Sequence, residues 1–182
     1  ARHLEHGDLA QDVALALADS GIEPDNLVIE LTESTIMHNT EANLARLLQL
    51  KSLGVRIAID DFGTGYSSLS YLHRFPIDIL KIDRSFVGRL INSSSNGPEL
   101  ARAVITLGET LGLDTVAEGI ELEAQVEALL NLGCVAGQGY LFARPGSLVE
   151  LSSSPFVSRR NELWTAQSGG EDLSPSGRYA AL

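Results

Sequence analysis

The chain has 182 residues, 44% of them hydrophobic and 20% charged, which suits one globular domain with an apolar core and excludes a linker or a disordered chain. A formal net charge of -11 opposes broad binding to DNA, RNA or an anionic membrane, because each needs a basic face to displace counterions. A phosphate ligand would have to be held locally, by divalent cations set between it and the carboxylates.

The first helix is predicted from Asp8 to Asp19, with Leu9, Val13, Ala16 and Leu17 at helical spacing and a stop at Ser20-Gly21. A strand follows at Leu27 to Leu31. The next helix starts at the capping residues Asn39 and Thr40, lines up Leu44, Leu47 and Leu48, and ends at Gly54. Val55 to Asp60 reads as the second strand, and the turn Phe62-Gly63-Thr64-Gly65 leads into a short helix from Ser67 to His73. Pro76 precedes a third strand at Ile79 to Ile82, and Asn92 to Pro98 reads as an exposed loop. A helix from Glu99 to Leu111, a strand at Thr115 to Ala117 and a helix from Glu121 to Leu132 come next. The fifth strand, Cys134 to Ala136, is expected to continue through Tyr140 to Phe142. Ser154-Pro155 opens a last helix that includes Trp164.

Short β-branched runs alternating with helical patterns indicate an α/β fold with a parallel sheet. An eight-stranded βα barrel needs about 250 residues, so roughly five of its eight strands are expected here, as a partial (β/α)8 TIM-like barrel. An open doubly wound sheet is the alternative, but its G-x-G-x-x-G fingerprint is absent. The expected organisation is an incomplete barrel over residues 1–150, a C-terminal helix over 151–167 and a frayed tail over 168–182. The lone cysteine, Cys134, excludes an internal disulfide and reads as a small buried residue. With no long apolar run and no signal-peptide pattern, a cytoplasmic location is expected. The opening at Ala1 without a methionine suggests an excerpt of a longer protein.

Polar residues recur at strand ends: Glu30, then Asp60 and Asp61, then Lys81 and Asp83, then Glu118, and finally Gln138. Taken singly, each has an ordinary reading, as a turn residue, a helix cap or a solvent-facing side chain. In a parallel barrel, however, the C-terminal ends of the strands form one rim, so these groups would converge. Converging carboxylates need cations, and an all-oxygen set favours Mg²⁺ or Mn²⁺. Lys81 lies inside an apolar strand, where an unpaired ammonium is costly, and nearby carboxylates or water would explain it. His3, His6, His38 and His73 have no zinc-site spacing and read as ordinary solvent or helix-end residues.

Five segments in order, Glu30-Leu-Thr-Glu33-Ser34, Asp60 to Leu69, Leu80-Lys-Ile-Asp83, Ala117-Glu-Gly-Ile-Glu121 and Gln138-Gly-Tyr140, resemble the successive motifs of EAL-domain cyclic di-GMP phosphodiesterases. The likeness runs from about Ala1 to Pro145. It implies a βα barrel whose first strand is antiparallel, and hydrolysis of cyclic di-GMP to pGpG with Mg²⁺ or Mn²⁺. Asp60 would bridge two metals, Glu30 would serve the first, and Asp61 and Glu118 would complete the second. Lys81 and Gln138 would hold the attacking water, with Asp83 in support. Glu33 and Glu121 would steady the loop Phe62 to Ser68, which the family links to dimer contact, so the resemblance also implies a homodimer. An upstream regulatory domain is a further expectation.

The strand carrying the family's Glu-Ala-Leu motif and the strand carrying its metal-binding Asn are missing, and both serve the first metal. The excerpt alone is therefore expected to bind one ion better than two and to be inactive or nearly so. A catalytically silent module that binds cyclic di-GMP or docks a protein is the alternative. An unrelated metal-dependent barrel acting on sugar phosphates is a third reading, opposed by the ordered motifs.

Overall fold

The computed structural model describes residues 9–37, 40–63, 72–91, 96–134 and 136–146. The chain divides into two compact units, residues 1–83 with 106–114 and residues 84–105 with 115–182.

The first unit begins with helix α1 (Leu9–Ser20) and a single 3-10 turn at Pro24–Asn26. Strand β1 (Val28–Thr32) runs into the short helix α2 (Glu33–Met37), and α3 (Thr40–Ser52) leads to β2 (Arg56–Phe62) and β3 (Ile79–Ile82). The strands are parallel and lie in chain order, with Glu30 opposite Ala58 and Thr32 opposite Asp60. Apolar runs buried on both faces are what parallel strands require. Ile57 and Ile59 of β2 and Leu80 and Ile82 of β3 are fully buried with Ile36, Leu47, Leu50 and Leu72. Each such side chain contributes roughly 1.5–3 kcal/mol. Gly54 ends the α3 connection at φ 88°, and a Cβ there would come within 3.1 Å of Pro24, so glycine is the residue that fits.

A polar staple fixes where these strands begin. Lys51 donates to Asp78 at 2.9 Å, and Asp78 in turn accepts the Ile57 amide at 2.8 Å. The Asp114 amide donates to the Asp78 carbonyl, while the Asp114 carboxylate pairs with Arg56. With their starts tied, the strands present their other ends in a common register.

The second unit holds the one-turn helix α4 (Arg84–Val87), most of the strand β4 (Asp114–Ala117), α6 (Glu123–Asn131) and β5 (Ala136–Gly137). Helix α5 (Gly97–Leu111) contributes residues to both units. Strands β4 and β5 are parallel, with Val116 opposite Ala136. Phe86, Val87, Ala117, Ile120 and Leu129 are buried in this unit, together with Ala101, Val104 and Ile105 of α5.

Several expectations shift. Helix α5 starts at Gly97, inside the expected loop, because Pro98 fits the first turn of a helix, where no amide partner is needed. The fifth strand stops at Gly137. Tyr140 to Phe142 form a turn instead, because the Phe142 amide bonds the Gly139 carbonyl and the Leu141 amide bonds that of Ile120. A Glu-Ala-Leu tripeptide does occur, at Glu127 to Leu129, but it lies within helix α6 and not on a strand. Of the helix expected at Ser67 to His73 all but its last two residues, and the C-terminal helix and tail entirely, lie outside the described residues.

Candidate active site

In the first unit the expected residues meet around a buried cation. Lys81 sits in the middle of β3 with its side chain only 5% exposed, and its ammonium lies 2.6 Å from a Glu30 oxygen and 3.5 Å from an Asp60 oxygen. The expectation that carboxylates compensate this lysine is met. Glu30 is the more open of the two acids, at 41% against 26% for Asp60, so the cluster has a wet side and a dry side.

The register places Asp60 and Asp61 together opposite one residue. Ile59 pairs with Leu80 and Phe62 with Ile82, so two residues of β2 face Lys81 alone. That is a β-bulge, and it removes the strict alternation that would send neighbouring side chains to opposite faces. Asp61 takes up the extra residue in the left-handed region, at φ 56°, and its amide donates to the Asp60 carboxylate at 3.0 Å. Aspartate tolerates this backbone better than most residues do, which accounts for an acid at the bulge.

Glu33, buried at the start of α2, accepts the Gly63 amide at 3.1 Å. It thus grips the chain just after Asp60 and Asp61, where the loop begins, although residues 64–71 lie outside the described residues. Asn43 of α3 donates to the Thr35 and Ile36 carbonyls and so closes the end of the short helix that carries Glu33. Asp83, half-buried, follows β3.

In the second unit Gln138 donates to a Glu118 oxygen at 2.7 Å, which brings together the two strand-end residues expected there. Their backbones are linked as well: the Gln138 amide donates to Ala117 and the Ile120 amide to Gln138. Glu121 is exposed. The buried Gln125 accepts the Glu121 and Leu122 amides and donates to the Val87 carbonyl. The sequence reading missed this residue. Its signal was half of a capping box, hidden because Leu122 stands where Ser or Thr would mark the pattern. Burial holds the Cys134 thiol above its ordinary pKa, partly offset by hydrogen bonds to Ala136, Thr115 and Ala117. It is an inert packing group, as expected. His73 is exposed.

No group of three or more His, Cys, Asp and Glu is arranged to hold a metal ion among the described residues. The donor chemistry nevertheless suits a hard cation, since Glu30 and Asp60 already converge on one positive charge through oxygen alone.

The family model for the EAL domain matches residues 1–145. The chain belongs to the EAL-domain family. The EAL sequence is 48% identical over 149 residues to the "Bifunctional diguanylate cyclase/cyclic di-GMP phosphodiesterase MucR" of Pseudomonas aeruginosa, covering 82% of this chain and 22% of that protein. The chain thus spans about a fifth of the length of such curated relatives. Among solved structures, the PaMucR phosphodiesterase in complex with c-di-GMP superposes with a TM-score of 0.77 at 47% identity, over 81% of this chain and 60% of that one. A manganese and cyclic di-GMP complex of BlrP1 from Klebsiella pneumoniae gives 0.70 at 34% identity, over 78% and 36%. The expected fold class, part of an EAL-type TIM-like barrel, is the one shared with these structures. No helix among the described residues is long and apolar enough to cross a membrane.

Proposed function

We propose that this EAL domain is a metal-dependent phosphodiesterase that opens cyclic di-GMP to the linear dinucleotide pGpG. The observation that carries the reading is the buried Lys81 flanked by Glu30 and Asp60, in a chain whose relatives bear that activity in their names. By likeness to the family, Glu30, Asp60, Asp61 and Glu118 are the residues that would hold Mg²⁺ or Mn²⁺. Bound there, the ions would supply Lewis-acid charge at the scissile phosphate and acidify a water.

The remaining work falls to side chains. The Lys81 ammonium has only donors, so a water beside it presents a lone pair, while the Gln138 carboxamide oxygen can accept a hydrogen bond from a water. By likeness to the family, the two would hold the attacking water. Lys81 also keeps a positive charge where the phosphate gains negative charge, and its burial keeps that charge from being screened by solvent. Asp83 supports this cluster, and Glu33 and Glu121 steady the loop that follows Asp61. A homodimer and an upstream regulatory domain belong to the same reading by likeness to the family, and sedimentation with and without cyclic di-GMP tests the first.

The 182 residues contain neither the Glu-Ala-Leu strand nor the metal-binding Asn strand of the family pattern. By themselves they are expected to bind one ion better than two and to turn over substrate weakly. The test is chromatographic detection of pGpG after incubation with Mn²⁺, using a version with those two strands placed ahead of Ala1. Product is expected from it and not from its Glu118→Ala variant. Tight binding of cyclic di-GMP with no product would instead establish a silent binding module.

A further inference from the structure

We infer that Gln125, a residue of α6 whose side chain bonds to Glu121, Leu122 and Val87, is the positioning residue for the Glu118 and Gln138 pair. The residue is 4% exposed, and its side chain makes three hydrogen bonds. The carbonyl oxygen accepts the Glu121 amide at 2.8 Å and the Leu122 amide at 3.0 Å, and the amide nitrogen donates to the Val87 carbonyl at 3.2 Å. The three groups belong to two segments, the turn that follows Glu118 and the end of α4. One carboxamide therefore anchors that turn to the body of its own unit.

The turn has no slack with which to absorb a loss. Its next amide upstream, that of Ile120, donates to the Gln138 carbonyl, and the Ile120 carbonyl accepts the Leu141 amide. A Cβ on Gly139 would collide with the backbone N and O of Ile120, so the two segments touch backbone to backbone. Glu118 lies two residues before Ile120, and its 2.7 Å bond to Gln138 depends on the same two segments. When Gln125 releases Glu121 and Leu122, two part-buried donors lose their acceptor, and the turn shifts as they pair with water instead. That movement reaches Gln138 through Ile120 and Glu118 through the chain. The consequence for metal binding rests on the reading given under Proposed function, whereas the geometric claim stands independently of it.

The experiment uses the intact 182-residue chain, labelled with ¹⁵N, as wild type and with Gln125→Met or Gln125→Glu. Methionine keeps the volume and removes all three hydrogen bonds, while glutamate keeps the acceptor for the two amides and loses the donor to Val87. In the wild type the Glu121 and Leu122 amides exchange as slowly as their hydrogen-bonded neighbours. Rapid exchange there would overturn the inference without any variant. In Gln125→Met the two amides exchange faster, and the Gln138 side-chain amide signals shift to the values of a free carboxamide. Gln125→Glu, which still accepts both amides, restores their slow exchange. Mn²⁺ affinity falls about ten-fold or more in the methionine variant, the effect of removing a group that holds a ligand in place. A variant that is merely less stable, with Gln138 signals unmoved, would refute the positioning role. Glu118→Gln is the control for the metal reading: if it leaves Mn²⁺ affinity unchanged, that reading fails, and the exchange and Gln138 signals alone decide the role of Gln125.

Discussion

The buried Lys81 offers a quantitative test, through Glu30→Gln, Lys81→Met and the double variant, all in the presence of EDTA. Removing one partner of a fully buried ion pair costs about 3–5 kcal/mol. Glu30 is 41% exposed, so water can replace much of what glutamine fails to offer, and Asp60 remains 3.5 Å from the ammonium. These two facts reduce the expected loss for Glu30→Gln to about 1–2 kcal/mol. At about 2–4 °C per kcal/mol for a chain of this size, the melting point should fall by about 2–8 °C. Lys81→Met leaves Glu30 and Asp60 facing each other without a cation, yet both reach solvent, so a similar loss is expected. The double variant removes the ammonium and one acid together. Its loss should be smaller than the sum of the single losses, leaving a coupling of about 1 kcal/mol. Urea denaturation followed by circular dichroism measures all four proteins. A coupling indistinguishable from zero would refute the claim that Glu30 compensates the buried lysine.

Other consequences follow from single residues. Asp61→Gly removes a side chain from a left-handed backbone and should change stability by no more than about 1 kcal/mol, whereas Asp61→Val should lose about 1–2 kcal/mol; urea midpoints separate the two. Asp78→Ala leaves the Lys51 ammonium only its bond to the Val55 carbonyl and strands the Ile57 amide, and should lower stability by about 1–3 kcal/mol, read from the same denaturation curves. The raised Cys134 pKa means that the folded thiol keeps its proton where the unfolded thiol has lost it. Stability should therefore fall as pH rises beyond the ordinary thiol range, and Cys134→Ser should flatten that alkaline slope. Native Cys134 should also resist iodoacetamide until the chain is unfolded, as followed by mass spectrometry.

Much of the fold could be read from the sequence because parallel strands and their covering helices leave strong periodic marks. Ile79 to Ile82 appears as a strand in both, and Thr40 opens its helix where the capping residues point. What escaped depends on contacts between distant segments. Tyr140 to Phe142 carries the composition of a strand, but its amides find partners at Gly139 and Ile120, and no sequence window contains that information. At the site, the acids were legible because they recur after apolar runs, and Lys81 because an ammonium does not sit unaided in an apolar strand. The bulge that sets Asp60 and Asp61 against one residue was not legible, since it depends on the register with β3. Gln125 was hidden for a similar reason: on a helical wheel it is one more polar residue, and only the fold brings the Val87 carbonyl to it.

The account depends on Glu30, Asp60, Asp61 and Glu118 serving as ligands of divalent ions. The direct measurement is paramagnetic broadening in the ¹⁵N spectrum of the chain as Mn²⁺ is added below one equivalent. The amides of Glu30, Asp60, Asp61 and Lys81, and those of Glu118 and Gln138, should broaden and recover with EDTA. Broadening confined to one of these stretches, or spread over surface acids such as Glu99 and Glu123, would contradict it.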